Sequence, residues 1–358
     1  METKYIKWIP ENGFDTTELE EAAKIIRDGG LVAFPTETVY GLGGNGMLPE
    51  AAKKIYAAKG RPSDNPLILH IAAFEQLEGI VSQVPETARK LADAFWPGPL
   101  TMIFHKLPGV PYETTGGLDT VAVRMPEHPG ALAFLERAGV PVAAPSANRS
   151  GRPSPTQMIH VREDLDGKID MIIDGGAVGI GLESTIVDMT ENVPVILRPG
   201  AVTKQMIAEV TGEVIFDPAI MSAAGDRKPK APGMKYRHYA PRAKMIVFRG
   251  DVAKVTDRIN RELREYCCNG GYRPEEIGIL AAEETADGYS VGQVVTAGSR
   301  RKGTVGKYIY GALRKFDELS VRLILAESFY GLAQEEAIMN RLMKAAGIGQ
   351  IDMDGKFV

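Results

Sequence analysis

Apolar residues recur at helical spacing in "TTELEEAAKIIRDGG" (16–30), where Thr17 followed by Glu20 fits a capping box and Gly29 ends the pattern. "LVAF" then reads as a short buried strand, and Pro49 sits where a first helical turn tolerates it, ahead of "EAAKKIYAA". Further strands are predicted at "LILHI", "LTMIF", "TVAVRM", "PVAA", "MIID", "STIVDM" and "PVIL", many bounded by Gly or Pro. So many short strands with fewer helices predict a mixed, curved sheet with helices packed on it over residues 1–210.

From Lys244 the pattern is more regular. "KMIVF", "IGIL", "VGQVV" and "VRLILA" are strand-like, and "VAKVTDRINRELREY", "VGKYIYGALRKFDEL" and "AQEEAIMNRLMKAA" are helix-like. Strands alternating with helices of this length predict a smaller, parallel α/β domain of the Rossmann kind over 244–358. Between the two lies a linker, 211–243, rich in Pro, Gly and Ala and without a sustained period.

With 358 residues, 44% hydrophobic and 25% charged, the chain has the composition of a soluble globular protein. No run approaches the ~20 apolar residues that cross a bilayer, and the N-terminus lacks the apolar segment of a secretory signal. Cys267 and Cys268 are the only cysteines; sequence neighbours rarely meet disulfide geometry, so a reducing, cytoplasmic compartment is expected. The net charge of −4 argues against a dedicated nucleic-acid coat. The exception is local: from Asp226 to Lys244 the sequence carries Arg227, Lys228, Lys230, Lys235, Arg237, Arg242 and Lys244 against one acid, Asp226.

"GLGGNG" (41–46) matches the dinucleotide glycine spacing only loosely, because "PTETVY" separates it from the preceding strand and no strand-ending acid follows ~20 residues on. It reads as a turn that lets backbone approach a ligand. In "KGRPSDNPLILH" (59–70), Pro62 and Pro66 favour extended chain, which places Lys59 and Arg61 on one side; two such cations either stay solvated or meet at an anion. Ser146 and Asn148, also two apart, follow "PVAA" into a turn, where strand ends gather ligands and where caps are also common. Period two puts Thr120, Ala122 and Arg124 on one face of a buried strand. A buried guanidinium needs a partner, either an internal acid or a ligand carboxylate. His70 lies similarly, as a core histidine or a site residue.

Together with "PTETVYGLG", "GLESTIVD", "LRPG", "PGMKYRHYAP" and "GLAQEEAIMNRLMKAA", these pairs make the chain closely resemble the threonylcarbamoyl-AMP synthases, the YrdC-type family in its long two-domain form. The resemblance implies a YrdC-like twisted mixed sheet with a concave site, joined to the Rossmann-like domain. It implies that L-threonine, bicarbonate and ATP give threonylcarbamoyl-AMP and pyrophosphate, for modification of a tRNA adenosine beside the anticodon. It also implies that Thr38, His70, Arg124, Ala144 and Ser184 surround threonine, and that Lys59, Arg61, Asn65, Thr120, Ser146, Asn148, Ser154, Arg198 and Tyr239 surround the nucleotide. Lys59 and Arg61 take the catalytic part, with Mg2+ carried by ATP and no protein-bound metal. A transferase complex acting on tRNA is the implied partner, with direct tRNA contact left open.

A carbamate falls apart in water, so such a site must exclude solvent and hold reactants close rather than supply a nucleophile. The linker is longer than neighbouring domains need, and residues 226–242 are expected to fold over the site with Tyr239 near ATP. The competing reading is an RNA-binding module with a basic concavity; the negative charge and the lack of an aromatic-basic stacking pattern weigh against it.

Overall fold

The computed structural model describes residues 2–8, 15–220, 231, 239–347 and 350–351. Of the expected lid, 226–230 and 232–238 lie outside the described residues. The chain forms two units: Met1–Ser150 with Ser154–Tyr236, and Gly151–Pro153 with Arg237–Val358.

The first unit is built on an eleven-stranded mixed sheet: β1 (Lys4–Lys7), β2 (Val32–Phe34), β3 (Gly41–Asn45), β4 (Ile68–His70), β5 (Leu100–His105), β6 (Thr120–Arg124), β7 (Val142–Ala143), β8 (Met171–Asp174), β9 (Thr185–Asp188), β10 (Val195–Arg198) and β11 (Ile215–Phe216). Their order is β1-β8-β2-β3-β7-β4-β6-β5-β9-β10-β11. Every strand expected in this half is present, though often shorter.

Two local readings are corrected. The first helix, Thr16–Arg27, is capped by Asp15, whose carboxylate accepts the N–H groups of Thr17 (2.8 Å) and Glu18 (3.2 Å), so the cap lies before the expected Thr17. "GLGGN" is strand β3, antiparallel to β2, rather than a turn. Its glycines serve packing: a Cβ on Gly43 would stand 2.9 Å from the Val142 side chain and 3.0 Å from the Phe34 ring. With backbone alone filling that space, no period-two apolar pattern was available to mark the strand.

Strand alternation divides the side chains into two faces. Leu69, Val121, Val123, Leu100, Met102, Phe104 and Val187 join the main core. The opposite face has two halves. Over β1, β2 and β8 it is covered by helices Thr16–Arg27 and Pro129–Ala138, through residues such as Ile26 and Phe134. Over β4, β6, β5, β9 and β10 its apolar cluster is Ile68, Ile103, Ala122, Ile186, Leu197 and linker residue Ala231, with no helix residue among those described. The same face of the same strands carries His70, Arg124, Thr120, Thr101 and Ser184.

The second unit holds five parallel strands, β12 (Lys244–Phe248), β13 (Ile277–Ala281), β14 (Gln293–Thr296), β15 (Leu323–Glu327) and β16 (Gln350–Ile351), in the order β14-β13-β15-β12-β16. Helices Val252–Cys268, Val305–Glu318 and Glu335–Ala346 match the three expected. This is the parallel α/β domain anticipated, with β16 as an added strand. Among the described residues no helix is long and apolar enough to cross a membrane.

Candidate active site

Arg124 ends β6, and strand alternation alone turns it onto the face that carries Ile68, Ile103, Ala122, Ile186 and Leu197. It is 4% exposed. Its Nη1 donates to Thr38 Oγ1 (3.0 Å), its Nη2 to Glu37 Oε1, and its Nε to the Gly98 carbonyl (3.2 Å). The partner left open by the sequence is therefore an internal acid, Glu37. Pairing alone lets both charges stay buried. The second Glu37 oxygen, Oε2, is buried without a hydrogen-bond partner. Thr38 is fixed in turn by Thr36, whose Oγ1 lies 2.8 Å from Thr38 Oγ1 and donates to the Val39 carbonyl.

His70 sits directly opposite Arg124 in the parallel β4–β6 pair. Burial, helped by the nearby Arg124 charge, lowers its pKa to about 3, and its Nδ1 lies 3.2 Å from the Ile68 carbonyl. The imidazole is neutral throughout the physiological range. Because the unfolded histidine titrates near ~6.5, the unfolded chain binds the extra proton between that value and about 3. Stability due to this group rises with pH across the window and is lost as pH falls. At pH 5 the loss amounts to about 2 kcal/mol relative to pH 7. Urea unfolding at both pH values measures it, and the difference attributable to this site disappears in His70→Gln.

Two strands away, Thr101 Oγ1 on β5 meets Ser184 Oγ at 2.8 Å. Arg198 of β10 donates to the Ser184 carbonyl (2.9 Å from Nη2, 3.1 Å from Nε) and to its hydroxyl (3.1 Å). Ser154 donates to Glu183, one residue before Ser184. Ala144 N–H donates to the Ile68 carbonyl at 2.8 Å, which ties the end of β7 to β4.

Lys59 and Arg61 do not share one side of an extended chain, as the prolines had suggested. Lys59 is the last residue of helix Pro49–Lys59. Gly60 reverses the backbone at φ 60°, and Arg61 N–H closes the turn on the Tyr56 carbonyl at 2.9 Å. The Lys59 ammonium, 3% exposed, donates to the carbonyls of Ser146 and of Asn148 (2.6 Å). One cation thus holds the loop that carries the Ser-x-Asn pair, inside which Ser146 Oγ donates to Asn148 Oδ1 at 2.6 Å. Arg61 folds onto the carbonyls of Asn65 (3.3 Å) and Pro66 (3.0 Å). Asn65 itself is buried, with Oδ1 unpartnered. The loop is joined to the sheet by the Gly41–Ser146 bridge.

Thr38, Ala144, His70, Arg124 and Ser184 are thus carried by elements on β3, β7, β4, β6 and β9, contiguous in the sheet once β5 is counted. Lys59, Arg61, Asn65, Ser146 and Asn148 collect around one loop. Thr120 lies at the far end of β6, ~13 Å of strand from Arg124. Tyr239 belongs to the second unit, where its ring stacks on Tyr310 at 5.3 Å and the Arg341 guanidinium lies 5.6 Å from it. Sequence reasoning missed Glu37, Thr36, Thr101 and Glu183. Glu37 and Thr36 stand in "PTETVY" beside a residue that was singled out, and period two from Ile103 reaches Thr101.

Residues 24–200 match a family model described as "Telomere recombination", and residues 202–347 match "Threonylcarbamoyl-AMP synthase, C-terminal domain". The threonylcarbamoyl-AMP synthase of Bacillus subtilis is 48% identical over 351 residues, which is 97% of this chain and 99% of that protein. The chain belongs to the threonylcarbamoyl-AMP synthase family. The Pyrococcus abyssi threonylcarbamoyl-AMP synthase is also 48% identical, over 91% of this chain and 93% of its own. A crystal structure of P. abyssi Sua5 complexed with L-threonine superposes with a TM-score of 0.90 at 45% identity, covering 98% of this chain and 99% of that one. Membership makes the chain an enzyme of this type and accounts for both units at once, since the two family models cover residues 24–200 and 202–347, one on each sheet.

Proposed function

We propose that this chain converts L-threonine, bicarbonate and ATP into threonylcarbamoyl-AMP and pyrophosphate, and that the product serves threonylcarbamoyladenosine formation in tRNA. The observation that carries the reading is the placement of buried Arg124, Thr38, His70 and Ser184 on one face of the sheet. The L-threonine held by the P. abyssi relative supports the choice of amino acid.

A guanidinium has five N–H donors. With one each on Gly98, Thr38 and Glu37, Arg124 has one further N–H on each terminal nitrogen to offer a carboxylate. Neutral His70 packs beside it without competing for that anion. The threonine amine, after losing a proton, attacks the carbon of bicarbonate to give carbamate and water. A carbamate oxygen then attacks the α phosphorus, the α–β phosphoanhydride bond breaks, and pyrophosphate leaves. Charge grows on phosphate oxygens in that step, and the cationic loop of Lys59 and Arg61 lowers its cost. Mg2+ arriving with ATP neutralises further charge on the triphosphate.

Mass spectrometry of the product formed from ATP, bicarbonate and each of threonine, serine and glycine tests this reading. It requires a threonylcarbamoyl adenylate formed in preference to the serine and glycine products. Pyrophosphate release only in the presence of RNA would instead favour an RNA-dependent activity.

Ala231 gives the linker a defined part. It is fully buried on Ile68, Ile103, Ala122, Ile186 and Leu197, on the face that bears Arg124 and His70. An aspartate there would place an unpaired charge in an apolar cluster and lift the chain. Ala231→Asp is expected to lower the rate of threonylcarbamoyl-AMP formation by roughly tenfold, as water reaching the carbamate returns it to threonine and bicarbonate before ATP is spent. Pyrophosphate and product assays measure that rate; an unchanged rate would remove the linker from water exclusion.

A further inference from the structure

The second unit carries a site of its own. In the order β14-β13-β15-β12-β16 the chain leaves β13 for one edge of the sheet and leaves β15 for the other. Connections that diverge from adjacent parallel strands open a crevice outside their carboxyl ends, the place where open α/β sheets take ligands. Three segments meet there: Ala282–Glu284 after β13, Gly298–Lys302 after β14, and Ser328–Tyr330 after β15.

The carboxylates of the crevice are already occupied. Glu327, the last residue of β15 and almost wholly buried, accepts from Tyr289 Oη (2.8 Å), from Ala282 N–H (3.2 Å) and from Arg300 Nη2 (3.2 Å). Glu284 accepts from the Ser299 hydroxyl and from the N–H groups of Arg300 and Arg301, each at 3.0 Å. These bonds fix the loop after β14 and hold the Arg300 side chain against the end of β15, where Nη2 also donates to the Ser328 carbonyl. Phe329 packs beneath the guanidinium, its ring 4.8 Å away.

Two donors remain over. Arg300 Nε and Ser328 Oγ are both buried and neither has a hydrogen-bond partner, although Ser328 is only 3% exposed. Buried polar groups are rarely left so, and an N–H donor after β14 beside an O–H donor after β15, joined by the Arg300–Ser328 contact, asks for an acceptor. The hydrogen-bonding capacity left over belongs to cations, since the carboxylates at hand already accept bonds, Glu335 among them through the Gly331 N–H. Arg249, Arg301 and Lys302 stand on the adjoining segments, while Glu284 and Glu327 are saturated by the contacts above; Glu283 faces Lys302 at 3.9 Å. The geometry points to a binding site for the oxyanion of a small molecule, a carboxylate or a phosphoryl group, held by Arg300 Nε and Ser328 Oγ at the carboxyl ends of β13, β14 and β15. It lies on a different sheet from the catalytic residues and takes no part in the reaction above.

Site-resolved NMR of the full-length protein tests it. The 15Nε–H signal of Arg300, identified by its loss in Arg300→Lys, is followed during separate titrations with inorganic phosphate and sodium acetate at constant ionic strength. A saturable shift is expected with at least one anion. Phosphate alone would indicate a phosphoryl ligand, acetate alone a carboxylate, and both a general oxyanion site. Ser328→Ala removes a hydroxyl that makes no internal bond, so its melting temperature should match the wild type, while its apparent Kd rises at least ~10-fold, as for a lost charge-assisted bond. No saturable shift with either anion, or an identical Kd in Ser328→Ala, would overturn the proposal.

Discussion

Arg124→Met is expected to destabilise the first unit by about 3–5 kcal/mol and to weaken L-threonine binding by roughly ten- to a hundredfold. The two losses have different origins. Stability falls because Glu37 is left as a buried carboxylate with one oxygen newly bare and the other already unpartnered. Threonine binding falls because the guanidinium fork itself is gone. Adding Glu37→Gln separates them: the double variant should recover most of the lost stability and none of the threonine affinity. Denaturant unfolding reads the first quantity and calorimetric titration with threonine the second, with ATP binding expected to stay within about threefold in both variants. Equal weakening of threonine and ATP, or recovery of threonine binding in the double variant, would assign Arg124 to structure alone.

Lys59→Met should lower kcat/KM for ATP by about 10²–10³-fold, the range for losing a fixed charge at a developing oxyanion. It also leaves the carbonyls of Ser146 and Asn148 without their shared donor, at about 1–3 kcal/mol for each unsatisfied group. Lys59→Arg is not expected to restore activity. A planar guanidinium is bulkier than an ammonium and fixes the directions of its N–H groups, and the site is buried. Steady-state pyrophosphate release with ATP varied, set beside melting temperatures, measures both effects. If the protein melts lower yet keeps its kcat/KM below that temperature, Lys59 is a strut for the loop and not part of the chemistry.

Much of the architecture was legible because it rests on local periodicity. Alternation in "TVAVRM" placed Arg124 on a buried strand and posed the question of its partner; alternating strands and helices after Lys244 announced a parallel sheet. What stayed hidden depends on contacts distant in the chain. Glu37 and Arg124 are 87 residues apart, and nothing local in "PTETVY" says that its acid turns inward toward β6. Strand β3 was read as a turn because its glycines are selected by neighbours above and below, which carry the apolar signal for it. Pro62 and Pro66 predict extended chain around Lys59 and Arg61, whereas the preceding helix runs through Lys59. Gly60 settles the matter with a left-handed turn. The residue types of the site were readable, but the division of labour between Lys59, which holds the Ser146–Asn148 loop, and Arg61, which folds onto the carbonyls of Asn65 and Pro66, was not.

A crystal structure of the protein soaked with L-threonine and a non-hydrolysable ATP analogue tests the central claim most directly. The account predicts the threonine carboxylate on the terminal N–H groups of Arg124, its amine facing the nucleotide, and triphosphate oxygens within hydrogen-bond reach of Arg61, Ser146 and Asn148. Threonine bound away from Arg124, or a nucleotide seated on another surface while this face stays unoccupied, would contradict it.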